Sequence, residues 1–271
     1  MATKYVDVDG NAIYLHYAGA TTLPDVMPDF SRGRKIVFLH AAGRSGSEWT
    51  HQLERLGGTH SPLAPDMPGH GRSSGVEGLM SIRDYSDFLA RILDALKIKS
   101  AVVAGHSMGG ATAMDFAARH PDRVEALVLI STAAKFSIPE DRLKGLWSVM
   151  MGRAPQAFTT EIYSPRTVKE NFDAVREGWM EQIKTDPRVR YTDVKACSEV
   201  DLRGSLASIN KPALILVGAD DNGTTPADAE AIHAGIRGSR VEVIADAGHA
   251  LPWEKHAEVN SAIESFLSGL K

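Results

Sequence analysis

A serine flanked by glycines has the setting in this sequence that most clearly suggests covalent chemistry. Ser107 is the centre of a G-x-S-x-G pentapeptide (105–109), between an apolar run at 101–104 and a helical pattern at 110–119. At a tight strand-to-helix turn a serine adopts a strained backbone conformation, and neighbours two positions away must lack side chains. Such a turn lifts the hydroxyl above the sheet edge, beside the positive end of a helix. The pentapeptide also fits an ordinary glycine-rich turn, so the rest of the chain must decide.

The partners that a nucleophilic serine needs follow two later apolar runs. A serine hydroxyl is a weak nucleophile that requires a base, usually a histidine, and the histidine requires a carboxylate to fix its tautomer. The run at 213–217 leads into Asp220 and Asp221, and the last apolar run leads into His249. The carboxyl ends of parallel strands meet at one sheet edge, so these side chains are expected near Ser107. The sequence thus predicts a triad in the order serine, aspartate, histidine.

Alternating strand and helix patterns would position these residues. Between residues 35 and 130, apolar runs typical of buried strands alternate with amphipathic helical patterns, which indicates βαβ units and a parallel sheet. The clearest helix is expected over 81–96, where Ser81 and Asp84 form a capping-box pattern. Two alternating runs joined by an Asp-Gly pair at 9–10 predict a hairpin at the start of the chain.

The pattern changes between about residues 131 and 199. No strand-like run occurs there, and short helical stretches are separated by prolines. We therefore predict a helical lid over residues 131–199, inserted into an α/β core made of residues 1–130 and 200–271.

Composition narrows the partners that this chain can have. Of its 271 residues, 43% are hydrophobic and 24% are charged, which is typical of a soluble globular protein. Its net charge of −4 gives no reason to expect nucleic acid or an anionic membrane as a partner. One cysteine excludes an intramolecular disulfide, and the histidines lack the close spacing of metal ligands. The first residues lack a signal-peptide pattern, and no run reaches the roughly 20 apolar residues of a membrane span. We expect a cytoplasmic monomer or homodimer without metal or other cofactor.

Four motifs together resemble the α/β-hydrolase superfamily over nearly the whole chain. They are His40-Ala-Ala-Gly43 after a strand, the loop from Asp66 to Ser73, the pentapeptide around Ser107, and Gly248-His249. The resemblance implies the α/β-hydrolase fold, with a mostly parallel eight-stranded sheet flanked by helices and a helical lid. Ser107 would then stand at the nucleophile elbow of that fold.

The resemblance also bears on the acid of the triad. In this family the acid usually lies three residues after the glycine that ends its strand, and counting from Gly218 gives Asp221. A proline often follows that acid four residues on, whereas Pro226 lies five residues after Asp221. Asp220 therefore stays open as the alternative.

Further site residues come from the same resemblance. His249 would be the base, and the two oxyanion N–H groups would belong to Met108 and Ala42. Lids of this family commonly roof the acyl pocket, and methionine adapts to irregular pockets. Three large apolar side chains of the lid are therefore expected to bind substrate: Trp147, Met151 and Trp179.

Four polar residues beside the motifs have a simpler interpretation. Each histidine lies beside a motif rather than at the catalytic position, and Asp66 lies in a turn that it would brace. We expect them to shape loops by hydrogen bonding rather than to take part in catalysis: His40, Asp66, His70 and His106.

The resulting prediction is a serine hydrolase of carboxylic esters that acts through an acyl-enzyme. The chain looks most like carboxylesterases and enol-lactone hydrolases, so a small or medium-sized ester or lactone is the expected substrate. The same triad also supports C–C bond hydrolysis of ring-cleavage products, thioester hydrolysis and cofactor-free perhydrolysis. A ligand receptor of this fold is the non-enzyme alternative, which hydrolysis of p-nitrophenyl acetate would separate from an enzyme.

Overall fold

One eight-stranded sheet organises the computed structural model, which describes residues 1–270. The strands are β1 (Ala2–Val8), β2 (Asn11–Tyr17), β3 (Lys35–Leu39), β4 (Ser61–Pro65), β5 (Ala101–His106), β6 (Val124–Ile130), β7 (Ala213–Gly218) and β8 (Arg240–Ile244). Their spatial order is β1-β2-β4-β3-β5-β6-β7-β8, antiparallel at β1/β2 and β2/β4 and parallel elsewhere. The predicted fold class is confirmed.

Helices cover both faces of this sheet. They are α1 (Thr50–Leu56), α2 (Ile82–Ala95), α3 (Met108–Arg119), α4 (Glu140–Met150), α5 (Pro165–Glu170), α6 (Phe172–Ile183), α7 (Pro187–Glu199), α8 (Pro226–Gly235), α9 (Leu251–Glu254) and α10 (His256–Ser268). Along β3, Val37 and Leu39 join the core beneath α2 and α3, whereas Ile36 and Phe38 join the core beneath α1 and α10. Because both faces are buried, the central strands are continuous apolar runs rather than alternating ones.

Local sequence signals explain two of the connections. Asp9 and Gly10 have φ values of 53° and 81°, the left-handed pair that a tight hairpin turn requires, and the predicted hairpin is confirmed as β1–β2. At the start of α2, Ser81 Oγ accepts a hydrogen bond from the amide of Asp84 at 3.1 Å. The predicted cap therefore begins the helix where its pattern indicated.

Helices α4 to α7 occupy the segment between β6 and β7, in which the structure contains no strand. None of the residues of α4 is buried, whereas α7 buries a face that includes Val189, Asp193 and Cys197. Helix α7 packs against α4 and against α3 of the core, and α6 packs against α9. The function of this insertion (131–199) as a lid stays a prediction. Within residues 1–270, no helix combines the length and apolar content of a membrane span.

Candidate active site

The turn between β5 and α3 holds Ser107 in a strained conformation. Its φ of 53° and ψ of −115° lie in a region that non-glycine residues rarely adopt. A Cβ added at Gly105 would lie 2.2 Å from the carbonyl of Gly109, and one at Gly109 would lie 2.2 Å from the carbonyl oxygen of Leu39. Only glycine fits at both positions, so the backbone can turn sharply enough to present the serine at the sheet edge.

Three side chains form a continuous hydrogen-bonded chain at this edge. Ser107 Oγ lies 3.0 Å from His249 Nε2, and His249 Nδ1 lies 3.0 Å from one carboxylate oxygen of Asp221 and 3.2 Å from the other. Asp221 is buried, with 3% of its surface exposed, whereas Asp220 is exposed. The structure therefore brings Asp221 to the histidine and leaves the alternative, Asp220, facing solvent.

The surroundings of Asp221 keep it ionised. Its carboxylate accepts hydrogen bonds from the amides of Gly223 and Thr224 and from the Thr224 hydroxyl, each at 2.9 Å. Burial alone would raise its pKa, but His249 and the Thr224 donors outweigh burial and lower the pKa to about 2. Because an ionised carboxylate can only accept, His249 must donate from Nδ1, which leaves Nε2 free to accept the Ser107 proton.

Two backbone amides near Ser107 have no acceptor within the part of the chain that the structure describes. Leu39, at the end of β3, pairs with Gly105 of β5, so the loop that follows Leu39 runs beside the turn of Ser107. In that loop lies Ala42, and Met108 begins α3. Among residues 1–270, none accepts a hydrogen bond from the amide of Ala42 or of Met108. These are the two N–H groups that the resemblance predicts for an oxyanion.

A buried glutamate connects three parts of the site. Glu48 accepts from the amide of Ala41 at 2.8 Å and lies 2.6 Å from His106 Nδ1. His106 Nε2 lies 2.7 Å from the carbonyl oxygen of His249. Burial raises the pKa of Glu48, but the neighbouring His106 outweighs it and holds the pKa below the ordinary value. His106 makes hydrogen bonds to neighbouring segments, as expected of it, whereas nothing local in the sequence pointed to Glu48.

A second buried carboxylate reaches the site from the insertion. Asp193 Oδ2 accepts from the amide of Gly43 at 2.8 Å and lies 2.7 Å from His70 Nε2, and Oδ1 accepts from the Tyr85 hydroxyl. The Thr185 hydroxyl donates to the carbonyl oxygen of Gly43 at 2.8 Å. Sequence reasoning missed Asp193 and Thr185, because polar residues in a helical pattern normally indicate an exposed face.

The three predicted substrate-binding side chains lie at differently exposed positions of the insertion. Trp147 is 36% exposed and carries the Arg153 guanidinium 4.7 Å above its ring. Met151 is 49% exposed. Trp179 is partly buried and packs edge-on against Phe158, with ring centroids 5.2 Å apart. Their participation in substrate binding stays a prediction.

Within residues 1–270, no three His, Cys, Asp or Glu side chains are grouped as ligands of one metal ion. Cys197 is buried in α7, where burial raises the pKa of its thiol well above the ordinary value. Its reactive thiolate form is therefore suppressed.

Comparison with known proteins identifies the family. The model of the alpha/beta hydrolase family matches residues 36–262, most of the chain. The chain therefore belongs to the α/β hydrolase family, and the resemblance on which its motifs were interpreted is confirmed.

The relatives within this family include an esterase and lactonases. The chain is 30% identical over 256 residues to a pimeloyl-[acyl-carrier protein] methyl ester esterase of Neisseria meningitidis serogroup B (strain H44/76), with 90% of this chain and 95% of that protein covered. It is 27% identical over 267 residues to 3-oxoadipate enol-lactonase 2 of Acinetobacter baylyi, with coverage of 93% and 97%. The crystal structure of the enol-lactonase from Burkholderia xenovorans LB400 superimposes with a TM-score of 0.83 at 25% identity, covering 97% and 99%. The predicted esterase and enol-lactonase branch is confirmed.

Proposed function

We propose that this protein is a serine hydrolase of small or medium-sized carboxylic esters, lactones included. The observation that carries the proposal is the hydrogen-bonded chain from Ser107 through His249 to Asp221. The relatives support it, because a methyl ester esterase and an enol-lactonase both act on an ester linkage. They do not favour C–C bond hydrolysis, thioester hydrolysis, perhydrolysis or ligand reception over ester hydrolysis.

Acylation uses each group of the site once. Ser107 Oγ attacks the ester carbonyl while its proton moves to His249 Nε2. Asp221, ionised and bound to Nδ1, stabilises the imidazolium that forms. The amides of Ala42 and Met108 donate to the developing oxyanion. When the tetrahedral intermediate collapses, His249 returns the proton to the leaving alkoxide, and an alcohol departs.

Deacylation repeats these steps with water. His249 Nε2 takes a proton from water, whose oxygen attacks the acyl carbonyl, and the same two amides receive the second oxyanion. The Ser107–acyl bond then breaks, the proton returns to Ser107 Oγ, and the carboxylic acid leaves. In a lactone the alcohol stays attached to the acyl group, so one hydroxy acid is the product.

Four properties of the proposed enzyme stay predictions. A cytoplasmic location and a monomeric or homodimeric state are expected from the sequence, and size-exclusion chromatography with light scattering measures the second. The insertion is expected to cover the site, and the enzyme is expected to need no cofactor.

Hydrolysis of p-nitrophenyl acetate and butyrate, and of an aliphatic lactone, tests the function. The wild-type protein should turn over at least one of these substrates, and Ser107→Ala should lower kcat by about 10⁴-fold or more, since nucleophilic attack is lost. A fluorophosphonate should add one phosphonyl group to the wild type, seen by intact-protein mass spectrometry, and none to Ser107→Ala.

Ser198→Ala is the matched control, because among residues 1–270 the Ser198 hydroxyl donates only to the Lys195 carbonyl within α7. It should keep both activity and labelling. The proposal fails if the wild type hydrolyses none of the substrates, or if Ser107→Ala is labelled or turns over as the wild type does.

A further inference from the structure

The backbone amides of the residues on both sides of Ala42 donate hydrogen bonds to buried carboxylates. Ala41 N–H donates to Glu48 at 2.8 Å, and Gly43 N–H donates to Asp193 at 2.8 Å. Glu48 is 1% exposed and Asp193 is 0% exposed. Between these two fixed amides, Ala42 N–H alone has no acceptor among residues 1–270.

The orientation of the Ala42 amide follows from its own peptide group. In a trans peptide, the C=O of one residue and the N–H of the next point in opposite directions. The carbonyl oxygen of Ala41 accepts from the amide of Arg44 at 3.1 Å. The Ala42 N–H is thereby turned away from the inside of the loop.

The insertion holds the next residue by both of its polar backbone groups. Gly43 donates to Asp193 of α7, and its carbonyl oxygen accepts from Thr185, which lies between α6 and α7, at 2.8 Å. Gly43 has a φ of 66°, and a Cβ there would lie 3.0 Å from Cγ of Arg190. The backbone at Gly43 is thus fixed by hydrogen bonds and enclosed by the same helix.

We propose that Thr185 and Asp193 of the insertion, with Glu48 of the core, are positioning residues that orient the Ala42 amide toward the oxyanion. This inference rests on the proposed function. An N–H that is already oriented needs no rearrangement when charge develops, and that is what makes such a donor effective. The insertion then contributes to catalysis through the backbone that it holds, besides any part in covering the substrate.

Thr185→Val tests the inference, because valine keeps the shape and removes the hydroxyl. Loss of a whole oxyanion donor costs about 10²–10³-fold in kcat, so a donor that is loosened should cost about 10- to 100-fold. KM for p-nitrophenyl acetate should change by less than about 3-fold, because Thr185 contacts the loop and stabilises a state formed after binding. Thr185→Ser restores the hydroxyl and should restore kcat.

Thr192→Val is the matched control on α7. Within the described chain, the Thr192 hydroxyl donates only to carbonyls of its own helix, at Arg188 and Val189. Removal of this hydroxyl should leave kcat within about 2-fold of the wild type. It should change the melting temperature by about as much as Thr185→Val does. Should Thr185→Val fail to fold, Thr185→Ala removes the same hydroxyl without adding bulk.

A tetrahedral inhibitor separates positioning from general stabilisation. An arylboronic acid that adds to Ser107 forms an anion in the oxyanion site, so its Ki should rise in Thr185→Val by about the factor by which kcat falls. An unchanged Ki, or a kcat equal to that of Thr192→Val in an active protein, overturns the positioning inference and leaves the proposed function intact. A wild type that hydrolyses no ester overturns both.

Discussion

Two adjacent aspartates show how the environment of a single residue decides its function. Asp220 and Asp221 have the same side chain, but Asp220 is exposed, whereas Asp221 is 3% exposed and receives hydrogen bonds from Thr224. Thr224 Oγ1 also lies 3.1 Å from His249 Nδ1. Thr224 and its neighbours therefore hold both the Asp221 carboxylate and the His249 imidazole, whereas Asp220 lies outside this group of contacts.

Asparagine substitutions at the two positions test which aspartate takes part in catalysis. Asp221→Asn should lower kcat for p-nitrophenyl acetate by about 10⁴-fold, because an amide no longer stabilises the imidazolium and favours the wrong histidine tautomer. Asp220→Asn is the matched control and should keep kcat within about 2-fold, since an exposed carboxylate interacts weakly with the site. Steady-state kinetics of both variants at pH 7.5 decide which aspartate is the acid of the triad. A larger loss in Asp220→Asn would move the function to that residue.

At the scale of the elements, the insertion (131–199) is the segment whose contribution to substrate binding is predicted from its large apolar side chains. Its large apolar side chains are exposed to different degrees, from the partly buried Trp179 to Met151, which is 49% exposed. An exposed apolar surface on an enzyme marks either a substrate pocket open to solvent or a site of association. Changing the length of the acyl chain of a substrate distinguishes these two.

Trimming those side chains should change the preferred acyl length. A methylene that a pocket accommodates is worth about 1–3 kcal/mol of discrimination. At least one of Trp147→Ala, Met151→Ala and Trp179→Ala should therefore shift the ratio of kcat/KM between hexanoate and acetate esters by about tenfold. Met180→Ala, which trims a 47% exposed side chain of α6, is the control. Equal ratios in all folded variants would place the acyl pocket elsewhere.

The elements also show what could be predicted from the sequence. The hairpin, the turn at Ser107 and the cap of α2 depend on residues close along the chain, so their signals are local. Asp193 differs, because 150 residues separate it from Gly43 and 108 separate it from Tyr85. Only the packing of the insertion on the core brings these groups together. The choice between Asp220 and Asp221 likewise needed the burial and hydrogen bonds that the fold provides.

At the scale of the whole molecule, a buried ion pair joins the insertion to the core. His70 Nε2 lies 2.7 Å from Asp193 with both side chains 0% exposed, and His70 Nδ1 lies 3.0 Å from the Pro68 carbonyl oxygen. Burial alone would lower the pKa of His70, but the Asp193 carboxylate outweighs it and raises the pKa above 6.5. Burial alone would raise the pKa of Asp193, but His70 and Tyr85 hold it below 3.8.

These opposite shifts predict how the stability of the protein depends on pH. A raised histidine pKa contributes stability that is complete below its unfolded value of 6.5 and is lost as pH rises through the folded pKa. A lowered aspartate pKa contributes stability that is complete above 3.8 and is lost as pH falls through the folded pKa. The pair therefore stabilises the protein most between pH 3.8 and 6.5.

Urea unfolding of the wild type and of His70→Gln isolates this contribution from other titrating groups. Breaking a buried pair leaves an uncompensated charge, so His70→Gln should lower the free energy of unfolding by about 3 kcal/mol at pH 5.5. Above pH 6.5 the histidine of the unfolded chain loses its proton, so the contribution of the pair declines as pH rises, and the difference between the two proteins should be smaller at pH 9.5. His233→Gln, at an exposed histidine of α8, should follow the wild type at both pH values. A difference between wild type and His70→Gln that stays constant from pH 5.5 to 9.5 would show that the two buried groups hold the insertion without being charged.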